Sequence, residues 1–411
     1  MQKTKLSAFL LGTCLFIGAC TTGTDNKVTD KTQPSTPTTT QPIAVKPELQ
    51  LYMVKVDNLL LRNLPSKTGS QVITKFAAGD FVEGTGVVSE QKEEVTIQNM
   101  VLLEPYIEVV STTPEQKKGW AYGGALLPVY SGARNTTPDL GILSQFSMAL
   151  KGLNTKKLES GKKAWDAATK SFSSSSGALA DAGFVILRQF LMRLEMDGQF
   201  YNITEAINWS DDDYKAMADD KFDMGKYPAT KSLAENGFTI GMGEGQVFPI
   251  TDFKKLHAFF APKCSPAFKI FLDQELMEFS NQAWDDGGII VPLEQIADRA
   301  IFWEKFNQNN PYFLLKDQTK ESERWTALVV HNGADNTQVY NYDTKEVMDD
   351  YKKLWAYVVQ KYPGTALATS IKTLQDLYAA EGWKLTPKVE AWIKDYTQKL
   401  YPEQQEAQQG N

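Results

Sequence analysis

The sequence predicts a multidomain chain in which a small all-β barrel or sandwich, residues 50–130, precedes a mainly α-helical domain, residues 131–411. Three observations predict it. Between residues 51 and 130 the apolar side chains come in short β-rich runs separated by turn residues. After Ser131 they recur at helical spacing. Ahead of both, residues 21–47 are mostly Thr, Pro, Asp, Lys, Gln and Ser, a composition with too little apolar surface to offset the entropy of folding.

The amino terminus has the layout of an export signal. Lys3 and Lys5 precede an uncharged apolar stretch, residues 6–17, too short to span a bilayer as a mature helix. Ile17, Gly18 and Ala19 then lead directly into Cys20. This segment resembles the lipobox of bacterial lipoproteins, and the resemblance implies loss of residues 1–19 and acylation of Cys20 with palmitate-type chains. The alternative is an ordinary signal peptide with a chance cysteine at its cleavage site. Each buried methylene contributes roughly 0.8 kcal/mol, so several acyl chains would anchor the chain almost permanently to a membrane. No later run of roughly 18 apolar residues suggests a second membrane attachment. Residues 20–49 then act as a tether, and a flexible coil of about 27 residues reaches about 30 Å. Thr21, in place of aspartate after the cysteine, implies outer-membrane sorting by the enterobacterial rule.

Composition narrows the function. A net charge of −7 lacks the clustered basic surface that nucleic acid requires, so no nucleic-acid partner is expected. The two histidines, His257 and His331, lie far apart with no cysteine pair nearby, so neither a zinc site nor any other cofactor is expected. Of the three cysteines, Cys14 leaves with the signal and Cys20 takes lipid, which leaves Cys264 unpaired.

Within the β region, strands are expected at residues 51–56, 59–62, 72–76, 81–88, 95–103 and 106–110, with turns at Pro65, Gly69, Gly79-Asp80, Pro105 and Gly119. Leu59 and Leu61 would face one side of a strand, with Leu60 and Arg62 on the other. The run Leu59-Leu60-Leu61-Arg62-Asn63-Leu64-Pro65-Ser66, then Val72-Ile73, Gly79-Asp80 and Gly119-Trp120-Ala121-Tyr122 with Leu126, resembles the bacterial SH3-like domain of envelope proteins. It covers about 80 residues. The resemblance implies a barrel closed by Trp120 and a peptide ligand, with Trp120 and Tyr122 as the binding residues. Leu60 and Leu64 depart from the family pattern, and an insertion lengthens residues 90–100.

In the second region, Val347, Met348, Tyr351, Leu354, Trp355, Val358 and Val359 form a helical stripe, with Asp343 and Glu346 as its expected capping box and Pro363-Gly364 as its stop. A second helix carries Leu367, Ile371, Leu374, Leu377 and Tyr378 and ends near Gly382. A third opens at Thr386-Pro387. Further helices are expected after Ser265-Pro266 and Pro292, at residues 184–194 and at residues 210–217, whereas residues 241–245, 285–288 and 325–330 are expected as loops or short strands. The 303–306 and 340–363 regions resemble an uncharacterised helical domain that accompanies SH3-like modules in envelope lipoproteins, and that likeness carries no activity. The Tyr362–Gly382 text has a tetratricopeptide flavour, but no second copy follows at a period near 34 residues.

The expected function is therefore a non-enzymatic envelope binding or scaffolding module that engages peptidoglycan peptides or an envelope protein. The alternative is a cell-wall hydrolase, either a cysteine peptidase using Cys264 and His331 or a glycosidase using Glu195. For the first, Cys264 precedes a helix N-terminus, which favours a thiolate. For the second, Glu195 lies in apolar helical text that would raise its pKa. The bland alternatives are a buried thiol and a surface glutamate. Asp211-Asp212-Asp213 reads as charge at a helix start, and Asp285-Asp286-Gly287-Gly288 as a turn.

Overall fold

The computed structural model describes residues 46–401, apart from 98, 99, 199 and 244. Cys20, the expected export signal and most of the expected tether lie outside the described residues. The N-terminal region is all-β. Its strands are β1 (Leu49–Val54), β2 (Leu59–Arg62), β3 (Val72–Phe76), β4 (Phe81–Ile97), β5 (Met100–Ser111), β6 (Lys118–Tyr122) and β7 (Leu126–Gly132). They form one antiparallel sheet in the order β3-β2-β6-β5-β4-β1-β7, with β3 and β7 as unjoined edges, so the sheet does not close on itself.

Alternation along the strands divides the sheet between two cores. Leu49 and Leu51 of β1, Phe81 of β4 and Leu127 and Val129 of β7 face the helices. Their neighbours Val54, Val82 and Leu126 face the other way, into a smaller core with Leu59, Leu61, Phe76, Tyr106, Val109, Ala121 and Tyr122. Leu59 and Leu61 are buried together, as their spacing predicts. Gly79, at φ +87°, makes the expected reversal before β4, and a Cβ there would lie 3.1 Å from the Ser147 hydroxyl. That hydroxyl donates to the Gly79 carbonyl and ties the turn to the first helix.

The rest of the chain is mainly helical: α1 (Leu140–Lys151), α2 (Glu159–Phe172), α3 (Ala178–Asp197), α4 (Asp211–Ala218) and α5 (Pro228–Glu235) come first. A hairpin, β8 (Phe238–Gly243) and β9 (Gln246–Thr251), leads into α6 (Phe253–Phe260) and α7 (Pro266–Ser280). The two-residue strands β10 (Trp284–Asp285) and β11 (Gly288–Ile289) precede α8 (Leu293–Asn309) and α9 (Lys316–Asn332). A second such pair, β12 (Gly333–Ala334) and β13 (Thr337–Gln338), precedes α10 (Asp349–Lys361), α11 (Ala366–Ala380) and α12 (Pro387–Leu400). No described helix is long and apolar enough to cross a membrane.

Helix α8 joins two helical cores. Trp303 and Phe306 pack with the sheet face and with α1, α2, α3, α6 and α7. On its other side Ile296, Ala297, Ala300 and Ile301 pack with α9 to α12. Buried Glu304, also on α8, accepts from the backbone N–H groups of Ala366 and Leu367 at 2.7 and 3.0 Å. A carboxylate there satisfies two orphan donors at the start of α11 and complements the helix dipole.

Several expectations change. Residues 95–103 are not one strand: Val95 to Ile97 belong to β4 and pair antiparallel with Met100 to Leu102 of β5, and Pro105 lies within β5 opposite Lys92. The register slips between Val88 and Lys92, where the Ser89 hydroxyl accepts from Tyr106 N–H at 2.8 Å, so the ladder is irregular where proline removes a donor. Residues 325–330 lie inside α9, where the stripe Ala327, Val329 and Val330 is buried. The capping box of Asp343 and Glu346 does not form. Val347 N–H donates instead to Trp383 O at 2.9 Å, which holds that segment extended until Met348 caps α10. By contrast Gly382, at φ +68°, follows α11, and Trp383 N–H reaches back to Tyr378 O at 2.7 Å.

Candidate functional site

One face of the N-terminal sheet is built by β2, β5 and β6, where Trp120 lies opposite Arg62 on one side and Glu108 on the other. Trp120 is half-buried at the margin of the small core and does not close it. Tyr106 and Tyr122 do so, packed edge to face with centroids 5.6 Å apart. Tyr122 is only 5 % exposed, so little of its ring is left for a ligand.

The covering element is the insertion. The distal arm of the β4–β5 hairpin folds over the two tyrosines, with Val95, Ile97 and Leu102 against the small core. The Tyr122 hydroxyl lies 2.9 Å from Glu93 O and 2.6 Å from Leu102 O, and accepts from Glu104 N–H at 3.1 Å. Both Glu93 carboxylate oxygens accept from Lys67 N–H at 3.2 Å, and one also accepts from the Tyr106 hydroxyl at 3.2 Å. Burial and the neighbouring carboxylates push both phenols up to about 12, so they remain protonated donors.

Beside this strap an apolar strip stays open. Val72, Ile73 and Leu64 are 46, 39 and 50 % exposed. Strand β3 is an edge, so among the described residues one side of its backbone has no strand partner. The strip adjoins β6: a Cβ at Gly119 would lie 2.8 Å from Ile73 Cδ1 and 2.5 Å from Arg62 O, so glycine is required there for β2 and β3 to approach.

The residues of the alternative hydrolase are not brought together. Cys264 packs against the core shared by sheet and helices, where its thiol meets Asp181. His331 is fully buried on α9, bonded to Ala327 O at 2.7 Å and to the Ser370 hydroxyl at 2.9 Å, and stacked on Tyr396. They share no partner. Burial first, then the Asp181 carboxylate, pushes the Cys264 thiol far up, opposite to what a nucleophile needs. Glu195 is pushed up by burial, as expected, but its carboxylate is occupied by Thr251 N–H at 3.0 Å and the Thr251 hydroxyl at 2.7 Å. Among the described residues no three of His, Cys, Asp and Glu gather as a metal site would require.

One grouping escaped the sequence. The first turn of α3 and the start of α7 converge on a cavity of about 360 Å³, lined by Tyr130, Thr136, Gly177, Asp181, Ser265 and Leu314 among others. Asp181 accepts from Ser265 N–H at 2.9 Å and from the Cys264 thiol, while burial pushes its carboxyl up. The chain thus places its own anion where two helix N-termini meet. No spacing rule links residues 181 and 265. Replacing Asp181 with alanine orphans a buried amide and is expected to cost about 1–3 kcal/mol, read by chemical denaturation; an unchanged midpoint would refute this pairing.

Asp213 completes a capping box with Ser210, and it also binds the Lys226 ammonium at 2.5 Å and the Tyr227 hydroxyl at 2.8 Å. Those bonds hold its carboxyl well below the usual range, as befits a structural cap. Asp286 and Gly287, at φ +45° and +67°, make the tight turn expected between β10 and β11. Comparison with family models, with curated proteins and with solved structures found no match.

Proposed function

We propose that the chain is a cell-envelope lipoprotein, acylated at Cys20 and borne on a flexible tether, whose SH3-like β region binds an extended peptide without transforming it. The observation that carries this reading is the open edge of β3 with Val72 and Ile73 exposed beside Leu64. An extended peptide gains main-chain hydrogen bonds by adding to such an edge, and apolar side chains beside it supply selectivity. Arg62, on the neighbouring strand β2, pairs with Trp120 of β6, which puts Trp120 two strands in from that edge. Tyr122 belongs to the support of the site, locked under the hairpin arm. In an envelope protein the natural peptides are the stems of peptidoglycan or a segment of another envelope protein.

The test is co-sedimentation of the full chain with purified sacculi. Wild type is expected to pellet and to release no muropeptides, and the double variant Val72→Lys, Ile73→Lys to lose at least about tenfold in affinity, the cost of putting two charges on an apolar contact. Equal pelleting of the two, or muropeptide release abolished by Cys264→Ala or Glu195→Gln, would overturn the reading. Mass spectrometry of the native protein is expected to show an acylated Cys20 as the first residue.

A further inference from the structure

Outside the β region, between β13 and α10, the chain builds a second concave surface whose chemistry the peptide reading does not use. Residues 340–347 form a tight loop: Tyr340 bridges to Val347, Asn341 N–H donates to Glu346 O at 2.9 Å, and Lys345 N–H donates to Asn341 O at 2.8 Å. The Asn341 side-chain oxygen accepts from Asp343 N–H and Thr344 N–H at 2.9 and 3.1 Å. Beside this fixed loop lies a cavity of about 380 Å³ lined by Asn336, Gln338, Tyr340, Asn341, Tyr342, Asp343 and Met348. Its size is in the range of small-ligand sites.

We infer that this surface binds a neutral pyranose oligosaccharide, with Tyr342 as the stacking platform. Tyr342 is 59 % exposed, unusual for a large aromatic on a rigid loop. It is held edge to face against Tyr340, centroids 5.7 Å apart, with the Lys345 ammonium 5.5 and 5.7 Å from the two ring centroids. A sugar ring presents a face of polarised C–H bonds to the negative face of such a phenol and a rim of hydroxyls to everything around it. The rim here is mixed. Gln338 spends its N–H on Asp335 O at 3.2 Å and keeps its side-chain oxygen as an acceptor. Asn341 spends its oxygen within the loop and keeps its N–H₂ as a donor. The Asp343 carboxylate and the Tyr342 hydroxyl have no partner among the described residues. Asp343 and Lys345 cancel in charge, which selects a neutral ligand, and exposed Met348 adds an apolar contact suited to an acetamido methyl. Strands β12 and β13 are two residues each, too short to receive an added peptide strand.

The experiment is isothermal titration of the full chain with tri-N-acetylchitotriose and, separately, cellotriose. At least one probe is expected to bind, with affinity reduced about tenfold in Tyr342→Ala and retained within about threefold in Tyr342→Phe, because alanine removes the ring face and phenylalanine keeps it. Tyr342 is exposed, so both variants should fold, and circular dichroism verifies it. The Val72→Lys, Ile73→Lys variant should bind the sugar like wild type, which separates this site from the peptide edge. Failure of both probes to bind, or binding that Tyr342→Ala leaves unchanged, would overturn the inference.

Discussion

Replacing Trp355 with alanine is expected to cost about 3–5 kcal/mol, enough to melt the core formed by α9 to α12 near physiological temperature. The indole is fully buried, stacked on Tyr378 with centroids 5.4 Å apart and flanked by Tyr351 at 6.1 Å. Its N–H donates to Val330 O at 2.8 Å and so ties α10 to α9. Alanine leaves a cavity and a buried carbonyl without its donor, and the two penalties add. Trp355→Phe keeps an aromatic ring against Tyr378 but loses the donor and part of the indole's volume, so it should cost less, about 1–3 kcal/mol. Hydrogen exchange of residues 349–400 reads the difference. Exchange in Trp355→Ala as slow as in wild type would show that this core does not depend on the indole.

The second large effect is a pair of opposed pH dependences. His331, fully buried, is pushed down from 6.5 to about 4, because burial disfavours the imidazolium more than the Ala327 carbonyl favours it. Its Nδ1–H donates to that carbonyl, which leaves Nε2 without a proton in the neutral ring, 2.9 Å from the Ser370 hydroxyl that also reaches Leu367 O. The unfolded chain takes up this proton first as pH falls below 6.5, so stability is lost between about pH 6.5 and 4, by about 3 kcal/mol. Glu275 behaves in reverse. Burial pushes it from 4.5 up to about 7 despite Arg188 at 3.5 Å, and Glu278 adds to the shift. The folded chain then holds the proton more tightly, and stability is gained as pH falls from 7 to 4.5, again by about 3 kcal/mol. The two nearly cancel in wild type. Relative to wild type, His331→Gln should therefore gain stability on acidification from pH 7 to 4.5, and Glu275→Gln should lose it. Denaturant midpoints at the two pH values decide this, and slopes that depart from wild type in the same direction in both variants would contradict it.

How much was legible in the sequence depended on whether a local signal decided the outcome. Strands form at Leu59–Arg62 and Val72–Phe76 as expected, with the alternation of the first matched, and α12 begins at Pro387 after Thr386 as the proline requires. These are local decisions of pleat and cap. Where a tertiary partner decided, the sequence misled. Trp383 O captured Val347 and displaced the α10 cap by several residues. The insertion at residues 90–100 announced itself only as extra length, although its fold over Tyr122 determines which of Trp120 and Tyr122 stays accessible. The Cys264–Asp181 contact joins α3 to the start of α7 across more than eighty residues, and no periodicity encodes it. Tyr342 was invisible for the opposite reason. An aromatic in polar loop text looks like noise until the backbone fixes it beside Tyr340.

The claim on which the functional account stands is that the free edge of β3 receives a peptide strand. Hydrogen exchange of the full chain, with and without stem-peptide-bearing muropeptides in saturating amount, tests it most directly. The account predicts slowed exchange confined to residues 72–76 and the neighbouring Leu64 loop, absent in the Val72→Lys, Ile73→Lys variant. Protection only elsewhere, or none at muropeptide concentrations matching sacculus binding, would contradict it.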